Sequence, residues 1–236
     1  MSTARSEHHV LVAGEAIPLT ILRHARARRM RLRYDPVAGS LKLTLPPRAP
    51  IRPALAWASA QQAWIASQRR VAPDSVRFSN GAVIPVEGRL TAIRWSATAP
   101  RTPRLEGDAL HVGGPVDRVG ERVLRWLKAH ARAMLEAETV ALAGAHGLPL
   151  HSVSIGDPRS RWGSCASSGA IRYSWRLILA PEPVRLATVA HEVAHLVHMH
   201  HGPAFHALVK AISLADPDAA RAWLRREGAG LHRYSA

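Results

Sequence analysis

Apolar and polar positions alternate between Ala27 and Leu45. Met30, Leu32 and Tyr34 interleave with Arg29, Arg31 and Arg33, and Leu41, Leu43 and Leu45 interleave with Lys42 and Thr44. A period of two sends successive side chains to opposite faces of a strand. The stretch therefore predicts a hairpin with one apolar and one basic face, turning through Asp35-Pro36-Val37-Ala38-Gly39-Ser40. Pro46-Pro47 stops it, and Met1 to Glu7 ahead of it is expected to fray. Ile51 to Arg70 then reads as one helix with Leu55, Ala58, Gln62 and Ile65 near one side. Trp57 and Trp64, seven apart, are expected to share a face and pack in the core. A loop follows from Pro73 to Gly81. Ala82 to Trp95 is strand-like with breaks at Pro85 and Gly88, and Leu105 to Val112 is a tight hairpin. Gly113-Gly114-Pro115 looks like a boundary.

The second half changes period. Val119, Val123, Leu127, Met134, Leu135 and Leu142 mark a long helix over Val116 to Ala145. His130 and His146 on it read as surface or satisfied residues. His151 to Ile155, Ser160 to Ser164 and Ala170 to Trp175 read as strands, the last two joined by the small residues Ala166 to Gly169. An apolar helical run, Val184 to Val197, follows Pro183. Asp218 to Glu227 reads as a capped amphipathic helix stopped by Gly228, on which Ala222, Trp223 and Leu224 cannot all face inward. The pattern as a whole predicts an α+β protein: a β-rich region with a helix over 1–115, then a second domain over 116–236.

Composition narrows the class. The 236 residues are 47% hydrophobic, enough for a buried core, and the net charge is +15, almost all of it from arginine. An arginine surplus suits nucleic acid, phosphate or acidic substrates, or simply a solvated basic surface. The one cysteine, Cys165, cannot form an internal disulfide and fits a reducing compartment. It is expected to be buried filler rather than a nucleophile. Val10 to Leu22 is interrupted by Gly14, Glu15 and Pro18, so it lacks the apolar core of a signal peptide. No run approaches the roughly 18 apolar residues of a membrane span. The expectation is a soluble cytoplasmic protein with no membrane partner.

The candidate chemistry lies at His191-Glu192-Val193-Ala194-His195. On a helix, residues four apart lie one turn apart on one face. Two imidazoles so placed can share one zinc ion, and Glu192 can take a proton from a water activated there. A buried apolar helix must satisfy such polar groups, and a metal does so. A hydrolytic zinc site needs a third protein ligand and an open fourth position. His198 would face the same way as His191 but lie about 10 Å along the axis. Gly202-Pro203 should end the helix near His200, which allows His201 to swing back. A second short helix is expected from Pro203 through Leu214.

The segment HEVAHLVHMHHGPAF resembles the active-site segment of the YgjP-like metallopeptidase family, a relative of the SprT and WLM zincins. Asp157 to Cys165 (DPRSRWGSC) and Trp175 to Pro181 (WRLILAP) resemble the same family's other signatures. The resemblance covers most of the chain and is weakest over the first 20 residues. It implies His191, His195 and His201 as zinc ligands and Glu192 as the catalytic carboxylate. It also implies a compact zincin-like (minigluzincin) domain with a small sheet packed on the motif's helix, and the Val116 to Ala145 helix behind it. His200 departs from the family, which usually has Asn there, so His200 and His198 stand as competing ligands. In zincins an edge strand can hold an extended peptide, and Arg161-Trp162-Gly163-Ser164 is the candidate. Arg161, Arg172, Tyr173 and His206 are candidate donors to the oxyanion.

Three functions fit these residues. The first is a zinc-dependent peptidase acting on peptide or protein. The second is a metal-dependent pyrophosphatase of nucleoside triphosphates, favoured by Arg159, Arg161, Arg172, Arg176 and Arg185 around the motifs. The third is a nucleic-acid-binding module with a structural zinc, which would need a fourth ligand such as His198 or His200.

Overall fold

The computed structural model describes residues 7–35, 38–71 and 75–236, so Met1 to Ser6, Pro36-Val37 of the expected turn and Pro73 of the expected loop lie outside the described residues. The chain divides into two compact units, Met1–Ser75 and Val76–Ala236. Both helices and small sheets are present, and the fold is α+β.

In the first unit, β1 (Glu7–Val12), β2 (Glu15–Arg23), β3 (Arg31–Asp35) and β4 (Ser40–Leu45) form a sheet in the order β1-β2-β4-β3. The β3–β4 hairpin follows the alternation: Leu41, Leu43 and Leu45 are buried, while Arg31, Arg33 and Lys42 are exposed. The β1–β2 hairpin was not anticipated. Ala13 and Gly14, the latter one of the breaks in the apolar run, both take positive φ and form its two-residue turn. Helices α1 (Ile51–Ser59) and α2 (Gln62–Val71) replace the single expected helix. The Gln61 side-chain amide donates to the Trp57 carbonyl, while the Gln61 N–H turns to Ala58. The side chain thus takes the acceptor that a continuing helix would use. Ala54, Ala58 and Ile65 complete this unit's core. Trp57 and Trp64 do not join it; they stand 36% and 37% exposed.

In the second unit, β5 (Val76–Arg77) leads to β6 (Val83–Val86), β7 (Arg89–Trp95), β8 (Arg104–Glu106) and β9 (Ala109–Val112), the last four ordered β6-β7-β9-β8. The expected boundary after residue 115 falls inside this unit. Ile84, Val86, Ile93, Leu110 and Val112 are buried in the same core as the helices that follow, so they cannot be divided from it. Glu87 and Gly88 form a two-residue turn with positive φ, and a Cβ at Gly88 would lie 2.8 Å from Pro181 Cα. Only glycine lets the turn approach that closely.

Helix α3 (Val119–Ala145) buries Val123, Leu127, Ala131, Leu135, Thr139 and Ala143, a stripe at every fourth residue. Strands β10 (Ser152–Gly156), β11 (Gly163–Cys165) and β12 (Ala170–Ser174) form a sheet in the order β10-β12-β11, leaving β11 at the edge. Three helices follow: α4 (Glu182–Ala194), α5 (Pro203–Ile212) and α6 (Pro217–Glu227). The Asp216 side chain caps α6 by accepting from the N–H groups of Asp218 and Ala219. Strand β13 (Tyr234–Ser235) pairs with β5. No helix among the described residues is long and apolar enough to cross a membrane.

Candidate metal centre

Helix α4 opens with Pro183 in its first turn, where a missing N–H costs nothing. It buries Val184, Ala187, Val189, Ala190, Val193 and Ala194, so the motif is held on a rigid, apolar element. The helix ends at Ala194, earlier than expected, with His195 as its cap still in helical conformation. That keeps His191 and His195 on one face. The chain then turns through 195–202 and starts α5 at Pro203, which brings His201 back over the helix end.

The ligand atoms of His191, His195 and His201 all lie within 4.8 Å of one another. The Nε2 atoms of His191 and His201 are 3.2 Å apart, near the spacing of about 3.4 Å that two nitrogens take when they share a tetrahedral ion. His195 Nδ1 lies 2.9 Å from the His198 carbonyl. A carbonyl can only accept, so Nδ1 carries the proton and Nε2 keeps the lone pair. Burial, then the neighbouring His195 and His201, push His191 down to about 4. Burial also lowers His195. These two imidazoles are therefore neutral at neutral pH, the state in which they ligate metals. Phe205 of α5, fully buried, packs on all three rings at centroid distances of 4.9, 4.5 and 4.7 Å. The donor set fits a divalent ion of zinc's chemistry: three converging imidazole nitrogens, with His201 exposed to solvent.

Glu192 is 5% exposed. Burial raises its carboxyl to about 7, against the lowering pull of the Arg161 charge. Its place is fixed by β11. A Cβ on Gly163 would sit 2.6 Å from Glu192 Cδ and Cγ and closer still to Oε1, so the carboxylate lies in the space that glycine leaves. A cleft of about 240 Å³ opens beside His191 and Glu192, lined by Arg161 and Trp162 on one side and by α5 and α6 residues on the other.

A family model, the YgjP-like metallopeptidase domain, matches residues 28–227. The chain belongs to the YgjP-like family. No curated protein and no solved structure matches it. Membership in a metallopeptidase family implies a metal, typically zinc, and peptide or protein substrates.

The other residues singled out in this YgjP-like chain separate cleanly. Arg161 and Trp162 line the cleft. His206 stands at its side, in a shallow depression with Lys210, Asp218 and Arg221. Tyr173 is not available as an oxyanion donor. It is fully buried, and its hydroxyl meets Thr139 Oγ1 at 3.0 Å. Thr139 gives its own proton to the Leu135 carbonyl, so Tyr173 donates to Thr139. Arg172 also lies outside the cleft. It alternates with the buried Ile171 and Tyr173, and its guanidinium covers Gly156 of β10. His198 and His200 are not in the histidine group; His198 serves through its carbonyl. Cys165 is half-buried, with its thiol pushed up by burial and by Glu192, and it too stays outside the group.

Two positions escaped sequence reasoning. Phe205 was visible only as an apolar residue opening α5, and Gly163 only as part of an edge strand. The signal for both is adjacency in space, which a single sequence does not carry.

Proposed function

We propose that this chain is a zinc-dependent metallopeptidase of the HExxH type, acting in the cytoplasm, with Glu192 as its catalytic carboxylate. The observation that carries this reading is the convergence of three imidazoles, with ligand atoms within 4.8 Å of one another, beside a buried carboxylate at an open cleft. His191, His195 and His201 would hold the ion, and three protein ligands leave a fourth position open. Held there, a zinc ion would supply Lewis acidity, lowering the pKa of a water toward about 7.

The chain's own residues account for the remaining work. Glu192 takes a proton as water attacks and passes it to the leaving amine. Its carboxylate is buried against Gly163 at the cleft, which fixes its position for that transfer. The His195 N–H to His198 carbonyl bond holds the ring's tautomer. The free edge of β11 is available to an extended peptide by backbone pairing. Arg161, at the cleft beside Glu192, is the donor best placed for the developing oxyanion.

The phosphoanhydride reading loses support from the same coordinates. Arg176 and Arg185, two of the five arginines behind it, are buried and held by carboxylates. The structural-zinc reading loses its fourth ligand, since neither His198 nor His200 joins the group.

Replacing Glu192→Gln keeps the shape and removes the base. Hydrolysis of an unstructured protein by the zinc-loaded variant should fall by roughly 10²–10⁴-fold with zinc content unchanged. Full activity in that variant would contradict the reading.

A further inference from the structure

Four of the arginines around the site divide into two kinds. Arg176 donates from Nε and Nη2 to Asp157 at 2.7 and 3.2 Å, and from Nη1 to the Leu231 and Tyr234 carbonyls at 2.9 Å each. Arg185 is wholly buried and donates from Nε to both Glu138 oxygens at 2.9 and 3.1 Å. Both are committed to the interior. Arg161 and Arg221 line the cleft instead. Among the described residues, Arg161 has no carboxylate within ion-pair distance, and Arg221 reaches only the exposed Asp218 of its own helix, at 3.9 Å. The wall shared with these two cations is apolar: Ala187, Val209, Ala220 and Leu224.

We propose that Arg161 and Arg221 are specificity-determining residues that select peptides with a glutamate or aspartate beside the scissile bond. The proposal rests on the metallopeptidase reading above. A guanidinium offers planar paired donors that match a carboxylate. The apolar wall suits the methylenes of such a side chain, which would otherwise stay in water. Both arginines are exposed and hydrated, so an entering carboxylate replaces water at their guanidiniums rather than displacing a protein partner. Two guanidiniums across an apolar wall match one carboxylate on a hydrocarbon arm.

The test uses the full zinc-loaded chain and fluorogenic peptides that differ only in Glu or Gln at each position flanking the cleaved bond. The Glu peptide should show kcat/KM at least tenfold above its Gln partner, with the ratio shrinking as salt rises. Arg221→Gln should bring the ratio near one and raise KM more than it lowers kcat, while a melting curve like that of the parent shows that it folds. Arg161→Gln should lower the ratio too, with a further loss of kcat because Arg161 also serves the oxyanion. Equal rates on Glu and Gln peptides in the parent, or a ratio untouched by both substitutions, overturn the proposal. Binding of the same peptides to zinc-loaded Glu192→Gln gives a reading that needs no turnover. At least tenfold tighter binding of the acidic peptide supports the proposal, and equal binding overturns it. Absence of peptide hydrolysis with zinc bound contradicts the metallopeptidase reading, and the binding ratio still decides the selectivity. Turnover of a nucleoside triphosphate without selective binding of the acidic peptide overturns both.

Discussion

In the first unit, Met1–Ser75, twelve Lys and Arg stand against four Asp and Glu; in the second, Val76–Ala236, twenty stand against thirteen. Placement differs as much as number. Arg31, Arg33 and Lys42 of the first unit project into solvent from β3 and β4. In the second unit Arg176 and Arg185 are interior, each met by carboxylates from elsewhere in the chain: Asp157 for one, Glu138 and Glu87 for the other. An exposed charge needs only water, whereas a buried one must be matched or it costs several kcal/mol. The surplus that looks uniform along the sequence is therefore two different features. Among the described residues of the first unit it is all surface. In the second most of it is surface too, but Arg185 ties α4 to α3 and Arg176 anchors the C-terminal segment.

The sharpest way to break this contrast is Arg185→Met. It strands Glu138 and leaves Glu87 with His130 alone, so unfolding free energy should drop by about 3–5 kcal/mol, read from urea midpoints. A change under about 1 kcal/mol would mean the pair is not structural. Asp157→Asn should have a smaller effect, and one that depends on pH. Burial pulls the Asp157 carboxyl up, but hydrogen bonding and charge from Arg176 outweigh it and leave it below the usual range. A lowered folded-state pKa stabilises above the unfolded value near 3.9 and loses that contribution as pH falls through the folded value. Wild type and Asp157→Asn should therefore differ by about 1 kcal/mol at neutral pH, a figure kept low by the residue's exposure, and converge in acid. A gap that widened in acid would reverse the assignment. Least of all should come from Arg31→Ala and Arg33→Ala, each within about 0.5 kcal/mol in the same assay. A larger loss would show that the basic face is engaged with something in the fold.

The sequence was most readable where period and chemistry agreed. Leu41, Leu43 and Leu45 announced a strand, and His191 and His195 announced one face of a helix, because both patterns are local. It was misleading where a residue's usual meaning was overridden. Gly14 read as a breaker and is the turn of a hairpin. Gln61 read as helix interior and ends α1 with its side chain. Trp57 and Trp64 read as core and face solvent, because the core of that unit is already filled by Leu41, Leu43, Leu45, Ala58 and Ile65. At the site, the same limit applied to Tyr173, whose hydroxyl could have served the cleft. Its partner, Thr139, lies on α3, and nothing in the local sequence connects them.

His191, His195 and His201 are proposed to hold one ion with room left for solvent. Titrating metal-free protein with Co²⁺ or Zn²⁺ tests it directly. One tetrahedral ion per chain is expected in the parent, Glu192→Gln, His198→Ala and His200→Ala proteins, and loss of tight binding in His201→Ala. An unaltered site in His201→Ala, or one abolished by removing His198 or His200, would contradict it.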